Sequence, residues 1–107
     1  MLFRRKDSWP TVPDADLTGK VRKRIYFSGR VQGVGFRFTA QGLAKTLGLT
    51  GYVKNLYDGR VEMEVQGTER AIADMLAELN NDTYIRISST EVIEKPVIPE
   101  TRFTMLY

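Results

Sequence analysis

Residues 23–48 read KRIYFSGRVQGVGFRFTAQGLAKTLG, and within this stretch the apolar period changes once. From Lys23 to Val31, Ile25, Phe27 and Val31 fall on one side while Arg24, Tyr26 and Arg30 fall on the other. That two-residue alternation is the mark of a half-buried strand. From Phe36 to Leu47 the apolar residues Phe36, Ala40, Leu43, Ala44 and Leu47 recur at three- and four-residue steps, and Gly48 follows. The spacing predicts a helix of about three turns with a glycine stop. Gly42 inside it costs about 1 kcal/mol relative to alanine, so either close packing requires the missing side chain or the helix tolerates it.

Downstream, Thr50 to Asn55 and Arg60 to Gln66 read as strands joined through Leu56-Tyr57-Asp58-Gly59, in which Asp-Gly is a tight-turn signal. Thr68 is placed to cap a second helix with Glu69 in its first turn. Ala71, Ile72, Met75, Leu76 and Leu79 then form its apolar stripe, which ends at Asn80-Asn81. Ile85, Ile87 and Val92 suggest a fourth strand, and Phe103, Met105 and Tyr107 alternate as a short fifth. The order βαββαβ plus a terminal strand is satisfied by an α+β, ferredoxin-like sandwich: a mostly antiparallel sheet with both helices on one face. Right-handed crossovers place the first and third strands side by side, which brings the loop after the first strand near the strand preceding the Asp-Gly turn.

The chain has 107 residues, 42% of them hydrophobic, enough for one core and too few residues for a second domain. Residues 1–19, with Pro10, Pro13 and no apolar period, read as a flexible arm carrying a lone Trp9; residues 20–107 form the domain. The net charge of +3 is uneven. Residues 1–24 hold seven basic and three acidic side chains, which leaves nine basic and ten acidic groups for the body. A nearly neutral body argues against nucleic-acid binding, which needs a basic face on the domain itself. An RNA-binding sandwich would also place stacking aromatics on its third strand, and Arg60 to Gln66 has none. No run approaches the roughly 20 apolar residues of a membrane span, and no signal-like apolar region opens the chain, so a cytoplasmic protein is expected.

Histidine and cysteine are both absent, which excludes imidazole bases, thiol nucleophiles and Cys/His metal sites. Ser88-Ser89-Thr90 therefore has no base partner, and Glu62 and Glu64, on one strand face, read as a solvated row rather than a catalytic dyad. The segment Gly29-Arg30-Val31-Gln32-Gly33-Val34-Gly35-Phe36-Arg37 is suited to an anion. Its glycines let successive N–H groups converge, the following helix start adds unpaired donors, and Arg37 adds a planar fork for two phosphate oxygens. The competing reading is a turn that uses glycine for geometry alone. Nucleotide loops do not match, since neither Gly-x-x-x-x-Gly-Lys-Ser/Thr nor a third glycine at Phe38 is present. Asn55, ending the strand Gly51-Tyr52-Val53-Lys54-Asn55, either caps the turn or offers its amide to hold a water. Lys54 alternates to the opposite face.

Taken together, Gly29 to Arg37 and Gly51 to Asn55, with Asp58-Gly59-Arg60-Val61-Glu62, resemble the two signatures of the acylphosphatase family, and the likeness extends over about residues 22–107. Leu47 to Gly51 and Phe103 to Tyr107 are also similar to family stretches. Tyr52 stands where the family more often has Trp. The resemblance implies hydrolysis of the carboxyl-phosphate bond of small acyl phosphates, without cofactor or metal, by a monomer. It implies Arg37 and Asn55 as catalytic residues, Arg37 holding phosphate and Asn55 positioning water. The N–H groups of Gln32, Gly33, Val34, Gly35 and Phe36 would complete the phosphate site. A phosphate- or ligand-binding module of the same fold, without turnover, is the alternative.

Overall fold

The computed structural model describes residues 17–107. Of the expected arm only Leu17, Thr18 and Gly19 are among them; Trp9 and the rest lie outside the described residues. The elements are β1 (Val21–Arg30), α1 (Phe36–Leu47), β2 (Thr50–Asn55), β3 (Val61–Gly67), α2 (Glu69–Asn80), β4 (Arg86–Lys95) and β5 (Phe103–Met105). They form one five-stranded sheet in the order β4-β1-β3-β2-β5. Every pairing is antiparallel except that of β5, which lies parallel to β2 at one edge. This is the expected ferredoxin-like sandwich, with β1 and β3 adjacent.

Helix α1 spans the expected residues because both its ends are set by glycines in the left-handed region: Gly35 before it and Gly48 after it, whose N–H donates to Ala44 O. At the start of α2 the Thr68 hydroxyl accepts from the Ala71 N–H at 3.1 Å, the cap read from sequence. The strands differ more from expectation. β1 starts at Val21 and stops at Arg30, with a register shift between Ser28 and Gly29 against β4, and β3 begins at Val61 rather than Arg60. Tyr107 lies beyond β5 and is fully exposed.

One face of the sheet carries the core. Ile25, Phe27, Val53, Val61, Met63 and Val65 from the strands meet Phe36, Ala40 and Ala44 of α1 and Ile72, Met75 and Leu79 of α2, all buried. Burial of apolar area at about 25 cal/mol per Å² makes this the main stabilising term. Gly42 takes no part in that packing: a Cβ there would meet nothing within 4 Å. Close approach to the sheet is therefore not its reason.

The opposite face corrects the reading of Glu62 and Glu64 as solvated. Both are buried, 9% and 7% exposed. The register sets Arg24 opposite Glu64 and Arg22 opposite Gln66 across β1 and β3, and Tyr52 opposite Glu64 across β2 and β3. Arg22 Nε donates to Glu64 Oε1 at 2.7 Å, Arg24 Nε donates to Glu64 Oε2 at 2.7 Å, and Arg22 Nη1 reaches Glu100 Oε1 at 2.7 Å. The Tyr52 hydroxyl donates to Glu62. The segment after β4 folds over this row, with Gln66 Nε2 donating to Ile98 O at 2.7 Å and Ile98 N–H donating to Gln66 Oε1 at 3.0 Å. Alternation gave the right face, but the burial comes from partners distant in sequence.

Burial alone would raise the Glu64 pKa; the hydrogen bonds and charges of Arg22 and Arg24 outweigh it and hold the carboxyl below its ordinary value. Its stabilising contribution is thus complete above the ordinary glutamate value of 4.5 and is lost as pH falls through the lower folded value. Glu64→Gln is expected to destabilise the domain at neutral pH by about 3 kcal/mol, because it removes the buried carboxylate shared by the Arg22 and Arg24 guanidinium groups and leaves Arg22 with Glu100 alone as its anion. Urea midpoints for this variant should also fall less steeply than those of the wild type below pH 4.5; equal slopes would place the acid sensitivity elsewhere. Gly42→Ala is expected to stabilise by about 0.5–1 kcal/mol in the same assay, and a loss of stability would show a packing constraint at that position.

Candidate active site

The connection from β1 to α1 is only the five residues Val31 to Gly35. It turns through Gly33 at φ 74° and Gly35 at φ 81°, a region other residues enter at a cost. A Cβ on either glycine would meet nothing within 4 Å, so backbone conformation rather than crowding selects glycine. No side chain caps α1, and its first turn holds no acid. Among the described residues, the N–H groups of Gln32, Gly33, Val34 and Gly35 donate no hydrogen bond to the protein. The loop therefore presents free donors at the positive end of a helix dipole.

Contacts of Phe36, Gln32, Val34 and Arg37 fix this loop and the residues around it. Phe36 is buried, its ring centroid 4.8 Å from that of Phe27, which seats the start of α1 on β1. The Gln32 carboxamide Nε2 donates to Leu56 O at 2.8 Å and Arg60 O at 2.9 Å, tying the loop to both ends of the β2–β3 turn. Val34 packs against the core. Arg37, half-buried in the first turn of α1, donates from Nη1 to Leu106 O at 2.9 Å, and its Cζ lies 5.1 Å from the centre of the Tyr107 ring. Leu106 is itself held, its N–H donating to Val53 O at 2.9 Å.

Asn55 ends β2 opposite Val61 and is exposed. The turn it leads into is closed by Asp58, whose Oδ1 accepts from Arg60 N–H at 3.1 Å and whose Oδ2 accepts from Arg60 Nε at 2.8 Å. Those bonds, the backbone one first, hold the Asp58 carboxyl below its ordinary pKa. The Asn55 amide takes no part in this closure and has no hydrogen-bond partner among the described residues. Gly33, Gly35, Phe36, Arg37, Asn55 and Met105 line one small cavity of about 150 Å³. Val34 faces another cavity. Lys54 points away, its Nζ 5.9 Å from the Tyr52 ring centre on the charged face.

Sequence reasoning named the loop, Arg37 and Asn55 but missed two elements. One is the Gln32 side chain, which was considered only for its N–H. The other is the Leu106-Tyr107 segment, where similarity to family stretches was the available signal and alternation suggested only a strand. Among the described residues no group of three or more acidic side chains is disposed to hold a metal ion, and no helix is long and apolar enough to cross a membrane.

Residues 23–105 match the family model described as Acylphosphatase. An acylphosphatase of Clostridium perfringens is 46% identical over 83 residues, covering 77% of this chain and 91% of its own. The crystal structure of acylphosphatase from Bacillus subtilis is similar at a TM-score of 0.75 with 36% identity, over 81% of this chain and 99% of that one. An acylphosphatase structure from Coxiella burnetii gives a TM-score of 0.76 at 30% identity, over 82% of this chain and 94% of that one.

Gln32→Ala removes both bonds to the turn and is expected to destabilise by about 1–2 kcal/mol. Amide exchange should accelerate in residues 32–35 and 55–60 while β3 stays protected. Unchanged exchange in both segments would show that the carboxamide does not hold them together.

Proposed function

This chain belongs to the acylphosphatase family, and from that premise we propose that Arg37 and the N–H groups of Gln32 to Phe36 bind the phosphate of a small acyl phosphate while Asn55 positions the attacking water. The observation that carries this assignment is the shared cavity: Arg37 from α1, Asn55 from β2 and the glycines of the loop open into the same space of about 150 Å³. Both catalytic side chains come from one chain, so a monomer suffices, and residues 20–107 hold every group required.

The chemistry follows from these groups. Phosphoryl transfer from an acyl phosphate passes through a loose transition state and expels a stable carboxylate. Its demands are alignment and stabilisation of charge on the equatorial oxygens. The unpaired N–H groups and helix dipole supply fixed positive potential, and the Arg37 fork pairs with two oxygens. With one nitrogen on Leu106 O and its face on Tyr107, the guanidinium is held before substrate arrives, which reduces the ordering needed on binding. The free Asn55 amide accepts from the water with its oxygen and donates to a phosphate oxygen with its nitrogen, setting the water in line with the carboxylate it displaces. Water attacks phosphorus, the bond between phosphorus and the carboxyl oxygen breaks with its electron pair, and a phosphate oxygen takes the water's proton. The chain has no histidine to act as base, and none is needed for such a leaving group.

Hydrolysis of benzoyl phosphate, with a chelator present and folding checked for each protein, tests the roles. Arg37→Lys, which keeps the charge but loses the fork, and Asn55→Ala are each expected to lower kcat by roughly 10²-fold or more. Asn55→Ala should retain affinity for inorganic phosphate. Near-normal turnover by Arg37→Lys would contradict the fork, and lost phosphate affinity in Asn55→Ala would move that residue into the phosphate site. A folded wild type that binds phosphate without turnover would favour a binding module.

A further inference from the structure

On the other side of the loop lies a cavity of about 520 Å³ lined by Arg30, Val34, Thr83, Tyr84 and Arg86, to which the reaction described above assigns no part. Arg30 and Arg86 are directly opposed partners across β1 and β4. Like charges in that relation repel, and no carboxylate lines the cavity to relieve them. Asp82, which precedes β4, is already engaged, its Oδ1 accepting from the N–H groups of Tyr84 at 2.8 Å and Ile85 at 3.1 Å. Arg86 is positioned by its own loop, Nη1 donating to Thr83 O at 2.7 Å, with Ile85 O and Asp82 O at 3.2 and 3.4 Å. The Arg30 guanidinium has no hydrogen bond or ion pair with any described residue. Val34, which lines this cavity, stands in the chain between Gly33 and Gly35, which line the smaller one, so both cavities lie against the same loop. Arg30 directly precedes the connection, residues 31–35, that would hold phosphate, and Arg86 faces Arg30 from β4.

We propose that Arg30 and Arg86 form a second anion subsite that receives a carboxylate carried at the far end of the acyl chain, so that the favoured substrates are acyl phosphates of dicarboxylic acids; this rests on the phosphate assignment of the loop. A carboxylate between the two guanidinium groups converts their repulsion into two charge-assisted pairs. Val34 and the exposed Tyr84 ring flank the path of the connecting carbons. The subsite selects among substrates and takes no part in bond breaking.

The test is calorimetric binding of 5-phosphonopentanoate, which spans phosphorus to carboxylate as succinyl phosphate does, and of pentylphosphonate, which lacks the carboxylate, to wild type, Arg30→Gln and Arg86→Gln. Turnover of succinyl and butyryl phosphate is measured alongside. The wild type is expected to bind the carboxylate-bearing phosphonate about fivefold more tightly, with that preference lost in either variant and pentylphosphonate affinity changed by under about twofold. The succinyl-to-butyryl ratio of kcat/KM should fall in parallel, through KM. Arg30→Gln carries the result if Arg86→Gln fails to fold, since the Arg30 side chain holds no hydrogen bond or ion pair among the described residues. Binding without preference, or a preference that survives both substitutions, would overturn the subsite. A preference without hydrolysis of either substrate would support the subsite and overturn the catalytic reading. No binding of either phosphonate would overturn both.

Discussion

The pairing of β1 with β3 sets everything else in this domain. Its register places Ile25 beside Met63 and Phe27 beside Val61 on the face the helices cover, and Arg24 beside Glu64 on the other. A slip of one residue would turn the charges into the core. The same pairing brings the end of β1 alongside the start of β3, so the loop leaving β1 meets the turn entering β3, where Gln32 binds the carbonyls of Leu56 and Arg60. A site assembled from two distant segments is therefore a consequence of strand order.

The two faces of the sheet contribute differently. The helix side is an apolar core of ordinary kind. The other side holds Arg22, Glu62, Glu64 and Gln66 out of water, where each lost partner would leave an uncompensated charge or polar group. Burial tends to lower the Arg22 pKa, but its bonds to Glu100 and Glu64 raise it overall, while burial and Glu62 both raise that of Tyr52. The charges on this face are thus locked into one arrangement that also pins the segment leading to β5. That segment delivers Leu106 and Tyr107 to Arg37.

Much of this was legible in the sequence where local signals dominate. α1 ended where its flanking glycines placed it, and Thr68 capped α2, because caps depend on neighbours a few residues away. β4 was less legible: it is an edge strand, mostly exposed, so its residues carry little alternation. The burial of Glu62 and Glu64 was misread because their partners lie on other strands and, for Glu64, include arginines about 40 residues away. Arg37 and Asn55 stood out through their segments, whereas the side-chain role of Gln32 and the grip of Leu106-Tyr107 on Arg37 arise only once the sheet is assembled.

The central claim is that the loop from Gln32 to Phe36, with Arg37, is the phosphate site. Titration of the isotopically labelled protein with inorganic phosphate, followed by amide and guanidinium NMR shifts, tests it most directly. The account predicts saturable shifts concentrated in the N–H groups of residues 32–37, the Arg37 side chain and the Asn55 amide. Saturable shifts confined to another surface, or none at concentrations that inhibit turnover, would contradict it.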